Sequence, residues 1–152
     1  MMHKGNYGKL AMSLGISFVI MYLVMFLNID STDHFYISLT RAYMALLMVA
    51  PMALLMLLLM GKMYPDKKTN AAISISATVA FILALVLLRQ QVPIGDRQYM
   101  KAMIPHHSSA ILTSENADIQ DPEVQQLAKQ IIETQEREIA QMKNILERME
   151  RE

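Results

Sequence analysis

The stretch Met100-x-x-Met103-Ile104-Pro105-His106-His107 gathers two thioethers and two adjacent imidazoles, in a 152-residue chain with no cysteine. Soft sulfur with imidazole suits copper, Cu(I) ahead of Cu(II), and suits magnesium or calcium poorly. On an ideal helix Met100, Met103 and His107 fall within about 60° of one another, because steps of three, four and seven residues return to nearly one face. His106 stands about 100° from His107. Pro105 removes one backbone hydrogen bond and crowds the Lys101 carbonyl, so the bend turns His106 toward the same pocket or toward a second one. A single histidine or methionine in a helix is most often a surface or packing residue. The joint spacing is what argues for a metal here, and the isolated His3 and His34 receive no role.

Charge and hydropathy divide the chain that must position these residues. Residues 1–95 carry seven Lys/Arg against three Asp/Glu, and residues 96–152 carry seven against eleven. The formal charge of zero therefore hides an apolar, slightly basic part and a polar, acidic part, with domains expected at 1–92 and 93–152. No basic stripe interleaved with aromatics is present, which excludes a nucleic-acid partner.

Three stretches lack any charge: Leu10–Ile29, Ala42–Met60 and Ala71–Leu88. At about 1.5 Å per residue each is roughly 27–30 Å long, the thickness of a bilayer core, so three transmembrane helices in contact with lipid are expected. The first has no small-x-small cleavage site after it and reads as an uncleaved anchor. Lys4 and Lys9 precede the first span and Lys62, Lys67 and Lys68 precede the third, whereas Arg41 lies near Asp30 and Asp33 before the second. The positive-inside rule then puts the N-terminus in the cytoplasm and residues 89–152 outside it, in the periplasm if the membrane is a bacterial inner membrane.

Met44, Met48, Met52, Met56 and Met60 recur every four residues in the second span. Each step advances about 40°, so the row spirals, and adaptable packing competes with a thioether path for copper. Pro51 predicts a kink. The faces Ser76/Ala80/Ala84, Ala11/Gly15 and Ser13/Ser17 predict close helix approach.

Beyond the spans, Asp96 is expected to cap a helix running to about Asn116, and Ala117–Gln120 to form a turn. Asp121-Pro122 reads as a cap with an N1 proline, starting a second helix whose apolar residues recur at helical spacing to Met149. The pair is expected to form an antiparallel hairpin. So small a hairpin buries little core alone, which predicts a homo-oligomer, two hairpins completing a four-helix bundle, or docking on the membrane part. Folding about the turn puts Gln135 near Met103 and Glu138 near Met100, with Met142 nearer Tyr99 than the histidines. A site using both His107 and Met142 then requires shifted helices or two subunits.

Met103-Ile104-Pro105-His106-His107-Ser108-Ser109-Ala110-Ile111, followed by Asp121-Pro122-Glu123-Val124, Leu127-Ala128, Ile131-Ile132 and Gln135-x-x-Glu138-Ile139-x-x-Met142, resembles the family of the domain of unknown function numbered 305, which includes the CopM-like copper-binding proteins. The resemblance covers about residues 96–150, and the spans look, more weakly, like the membrane anchor of some members. It implies an all-α, ferritin-like helical fold and copper binding outside the cytoplasm, with ligands on Met103, His106, His107 and Met142. Members often carry a methionine six residues after the second histidine, where this chain has Thr113, so one thioether is missing.

The expected function is a membrane-anchored extracytoplasmic protein that buffers, stores or hands over copper, with Ag(I) as a related ion and a copper-handling protein as partner. His106 and His107 would supply nitrogen; Met100, Met103 and Met142 would supply sulfur; Gln135 and Glu138 would orient the rings. The alternative is a metal-free oligomerisation or docking module in which the histidines are structural or pH-sensitive contacts. Transport by the methionine row is a third reading. An enzyme is not expected: the sequence offers no Ser-His-Asp candidate, no phosphate-binding glycine loop and no Glu-x-x-His pair.

Overall fold

The computed structural model describes residues 3–151, with side chains from Asn6 onward, so the His3 side chain lies outside the described residues. The architecture is all-α: α1 His3–Val24, α2 Leu39–Leu59, α3 Lys67–Gln90, α4 Asp96–Asn116 and α5 Pro122–Arg151, with a 3-10 turn at Thr32–His34. No strand occurs among the described residues. The chain divides into two compact units, one comprising the chain up to Val24 with Thr40–Pro93, the other Met25–Leu39 with Ile94–Glu152.

The first unit holds three helices long and apolar enough to cross a membrane, over Asn6–Val24, Leu39–Leu59 and Lys67–Gln90. These are offset from the charge-free stretches. The first helix stops at Val24, because the apolar residues after it turn into the other unit, where Phe26 is buried with its ring 4.1 Å from that of Phe35. Asp66 caps α3: its carboxylate accepts from the Lys68 N–H at 3.0 Å and the Thr69 hydroxyl at 2.6 Å. These hydrogen bonds, Thr69 first, hold the exposed Asp66 carboxyl below its ordinary range.

Helix approach uses part of the expected small faces: Ala84 is buried, and Ala80, Ser13 and Ser17 are half-buried. Ala45, Ala50 and Ala53 of α2 are buried with Ala84 of α3, whereas Ala11, Gly15 and Ser76 are exposed. Small side chains bring helices together only where they meet another helix. α2 stays helical through Pro51. Met44, Met48, Met60 and Met63 are exposed, and the cavity among the spans, lined by Leu14, Val49 and Ala77 among others, has no methionine in its wall.

In the second unit α4 and α5 pack through Met100, Ile104, Ile111, Ile139 and Leu146, with Ile132, Met142, Ile145, Met149 and Tyr36 around them. Ile104, Pro105, Ser108 and Ile111 are the most deeply buried of these side chains or their neighbours. Each fully buried aliphatic side chain contributes about 1.5–3 kcal/mol from lost water contact, so this seam is what holds the helices in register. The polar residues Glu133, Glu136 and Glu147 of α5 remain exposed, as the helical period requires.

Both helix starts follow from capping chemistry. Asp121 Oδ1 accepts from the N–H groups of Glu123 at 2.8 Å and Val124 at 3.1 Å, satisfying two donors that the first turn cannot pair internally. In α4 the cap is Gly95, and Asp96 is the first helical residue, where its carboxylate still faces the positive end of the helix.

The register of the two helices differs from simple folding about the turn. Arg97 donates to the Met149 carbonyl, and His107 pairs with Glu138. Glu138 therefore meets His107, seven residues farther along α4 than Met100 (107 − 100). The segment Ala117–Asp121 is non-helical and carries the chain past the end of α4 before α5 begins, so the first turns of α5, with Val124 and Leu127, are exposed. The apolar seam chooses this register, since it joins Ile104 and Ile111 to Ile139 and Leu146.

Candidate metal centre

A cleft of about 500 Å³ opens between α4 and α5. Its wall includes Met100 and Met103 from α4 and Met142 and Met149 from α5, together with His107 and Glu138. The register shift is what unites them: Met142, expected nearer Tyr99 than the histidines, shares the cleft with His107 and Tyr99 in one chain. No second subunit is needed to bring His107 and Met142 to one cleft.

The two histidines differ sharply. His107 is half-buried, with Nδ1 2.9 Å from the Met103 carbonyl oxygen and Nε2 2.8 Å from Glu138 Oε2. A carbonyl only accepts, so Nδ1 carries a hydrogen; the contact with Glu138 needs another, on Nε2 or on the carboxyl, and Nε2 is the nitrogen open to a metal once that hydrogen leaves. Glu138 thus sits on the nitrogen a metal would take, and the Met103 carbonyl orients the ring from the other nitrogen. His106 is exposed, its ring centroid 6.2 Å from that of His107 and nearly perpendicular to it, and it does not line the cleft. Gln135 is half-buried and also absent from the wall. Thr113 is exposed, its hydroxyl donating to the Ser109 carbonyl at 2.8 Å, away from the cleft.

The donor set is soft. Among the described residues no group of three His, Cys, Asp or Glu side chains converges to hold a metal ion. The cleft instead offers one imidazole, carboxylates at Glu138 and Asp96, and four thioethers. Such a set fits Cu(I) or Ag(I) better than a hard cation needing several oxygens. Met149, not among the sequence-chosen ligands, lies seven residues after Met142 and so on the same helix face. That spacing was the available signal.

The second cluster was invisible in the sequence. His34 is buried with Ser108: the Ser108 Oγ accepts from the Asp30 N–H at 2.7 Å and lies 2.8 Å from His34 Nδ1. His34 Nε2 stands 3.7 Å from Asp33 Oδ1, and Asp33 pairs with Lys143 of α5. Burial, ahead of the Lys143 charge, pushes the His34 imidazole down, against the opposing pull of Asp33 and Asp30. Hydrogen bonds from Lys143 and then Ser31 hold the Asp33 carboxyl down at about 2. Tertiary folding thus assembles a Ser108–His34–Asp33 set where the sequence offered no Ser-His-Asp candidate. Ser108 is 0% exposed, so its hydroxyl is a structural bond without access for a substrate.

Residues 83–151 match the family model described as a domain of unknown function (DUF305). An uncharacterized protein of Acanthamoeba polyphaga mimivirus is 36% identical over an alignment of 145 residues that covers 93% of this chain and 93% of that protein. That similarity runs through the three apolar helices as well as α4 and α5. No solved structure matches the chain.

Proposed function

We propose, from the premise that this chain belongs to the DUF305 family through residues 83–151, that it is a membrane-anchored protein which binds copper outside the cytoplasm and buffers, stores or hands it over. The observation that carries this reading is the shared cleft of Met100, Met103, Met142, Met149 and His107. Copper is the cargo, held as Cu(I) by thioether sulfur with His107 Nε2, after Glu138 yields that nitrogen or joins the ion. His106, exposed and next to His107 but outside the cleft wall, is the residue that meets the ion on entry or exit.

The three apolar helices are the anchor. Lys4 and Lys9 in the first turns of α1, with Lys62 before α3 and Lys67 and Lys68 at its start, favour a cytoplasmic N-terminus, which leaves the second unit on the opposite side, the periplasm in a bacterium. Three crossings also put Met25–Leu39 and residues 94–152 on one side, in keeping with their membership of one unit. The α4–α5 pair is an antiparallel hairpin of ferritin-like type, and a second copy completes the four-helix bundle.

Competitive Cu(I) titration of the full chain in detergent tests the site. The His106→Ala/His107→Ala double variant is expected to bind at least about tenfold more weakly, a magnitude in line with loss of a site's nitrogen and its support. Equal affinity sinks the reading. A metal-free docking module is favoured by one observation, the His107–Glu138 pair, which is satisfied without an ion. An assembly that changes between pH 5 and 8 but ignores copper is its signature.

A further inference from the structure

The helices lining the cleft are also gripped through residues that do not line it. Asn28 Nδ2 donates to Ser109 Oγ at 2.6 Å, and the Asp30 N–H donates to Ser108 Oγ at 2.7 Å. His34 Nδ1 meets the same Ser108 oxygen at 2.8 Å. These contacts fall one and two residues after His107. On α5 the grip is Asp33 to Lys143, one residue after Met142. The Leu39 N–H donates to Gln98 Oε1 at 3.0 Å near the start of α4, and Tyr36 packs on the apolar seam between the helices. One loop therefore holds α4 at both ends of the Met100–His107 stretch and holds α5 beside Met142.

This grip falls where α4 is least able to fix itself. Pro105 cannot donate to the Lys101 carbonyl, which frees α4 to bend within the candidate ligand stretch. Within the register that the apolar seam fixes, the outside contacts then limit how far His107 can rotate or shift against Met142. His34 is their centre: it is 8% exposed, and the hydroxyl it meets is fully buried, so its removal leaves Ser108 Oγ with only the Asp30 N–H of its two partners, in a site closed to water.

Resting on the copper reading above, we infer that the loop Met25–Leu39 is a clamp that sets the geometry of the α4–α5 cleft, with His34 as its positioning residue. His34 touches no ion. It holds Ser108, and through the helix backbone it holds His107. The Asp33–Lys143 pair holds the facing helix at Met142.

The test uses the full chain in detergent, with His34→Ala, His34→Asn and Lys143→Met, each followed by Cu(I) competition titration and by amide hydrogen exchange over residues 104–112. His34→Ala is expected to weaken Cu(I) binding by about ten- to a hundredfold, as loss of outer partners does elsewhere, and to speed exchange in that segment. His34→Asn, whose amide oxygen accepts from the Ser108 hydroxyl, is expected to restore both to within about threefold. Wild-type affinity in His34→Ala, or no rescue by Asn, overturns the clamp while leaving the copper reading intact. If His34→Ala loses its helical circular dichroism, Lys143→Met decides: unchanged affinity overturns the clamp, and a several-fold loss supports it. A wild-type chain that binds no Cu(I) overturns the copper reading, and unchanged exchange in His34→Ala then overturns the clamp as well.

Discussion

His107 Nε2 lies 2.8 Å from Glu138 Oε2, while Nδ1 of the same ring is committed to the Met103 carbonyl at 2.9 Å. Both ring nitrogens are thus engaged, and the only one able to take a metal is held by a carboxylate reaching across from the facing helix. A metal and Glu138 compete for, or share, one position. The half-exposed Glu138 tempers the strength of the pair through water screening.

Removing that carboxylate therefore separates its two roles. Glu138→Ala is expected to lower stability by about 1 kcal/mol, the scale of a partly solvated charge-assisted hydrogen bond, measured by chemical denaturation followed by helical dichroism. The same variant is expected to bind Cu(I) at a rate at least as fast as wild type, since Nε2 is already free. Slower uptake in stopped-flow competition identifies Glu138 as a ligand that delivers the ion.

The thioethers can be removed without changing volume. Replacing Met100, Met103, Met142 and Met149 together by Leu is expected to keep the fold, because Met-to-Leu exchanges usually cost under about 1.5 kcal/mol each. Cu(I) and Ag(I) binding should fall by several orders of magnitude relative to any effect on Zn(II), which does not depend on thioether sulfur. Retained Ag(I) binding in a folded quadruple variant removes sulfur from the site.

Acid is expected to release the Met25–Leu39 loop in two stages. The His34 imidazole is held below its ordinary 6.5 by burial, so the undocked loop takes up a proton at a higher pH than the docked one. Docking is then fully favoured above 6.5 and loses strength as pH falls from 6.5 toward the lower docked value. Asp33, held at about 2 against 3.8, adds stability above 3.8 that is lost as pH falls through about 2. The charged groups around His34 are Asp30, Asp33 and Lys143, and α4 presents the neutral Ser108. Exchange of the Phe35 and Asp30 amides should quicken between pH 7 and 5 in wild type and stay flat in His34→Asn.

The cap at Asp121 supports only α5. Asp121→Ala leaves the Glu123 and Val124 N–H groups without their carboxylate and should cost about 1 kcal/mol. Hydrogen exchange should rise in the first turn of α5 while the seam around Ile139 is unchanged. Equal loss at both places shows that α5 opens as one unit.

Because the chain has no cysteine, sidedness can be read with single introduced thiols. Gln120→Cys and Thr32→Cys are expected to react with an impermeant maleimide from the same side of the membrane, and Lys62→Cys from the other. Labelling of Lys62→Cys and Gln120→Cys from one side sinks the three-crossing topology.

Much of this molecule is legible in its residues alone. Charge-free length marks three membrane-competent helices, because a bilayer core demands about twenty apolar residues in a row. Asp121-Pro122 marks the start of α5, because the cap and the proline act within a single turn. The proximity of Met100, Met103 and His107 follows from helical geometry, and the family is readable from the ordered run Met103 to Ile111. All of these are local properties.

Register and long-range burial are not local, and there the tertiary structure decided. A turn of five residues permits several offsets between α4 and α5, and the buried seam of Ile104, Ile111, Ile139 and Leu146 selects the one that brings Met142 and Met149 to His107. His34, seventy-four positions from Ser108, shows no spacing or motif that could announce its partner. Its role exists only once Met25–Leu39 folds onto α4, since burial and a facing hydroxyl are properties of neighbours in space.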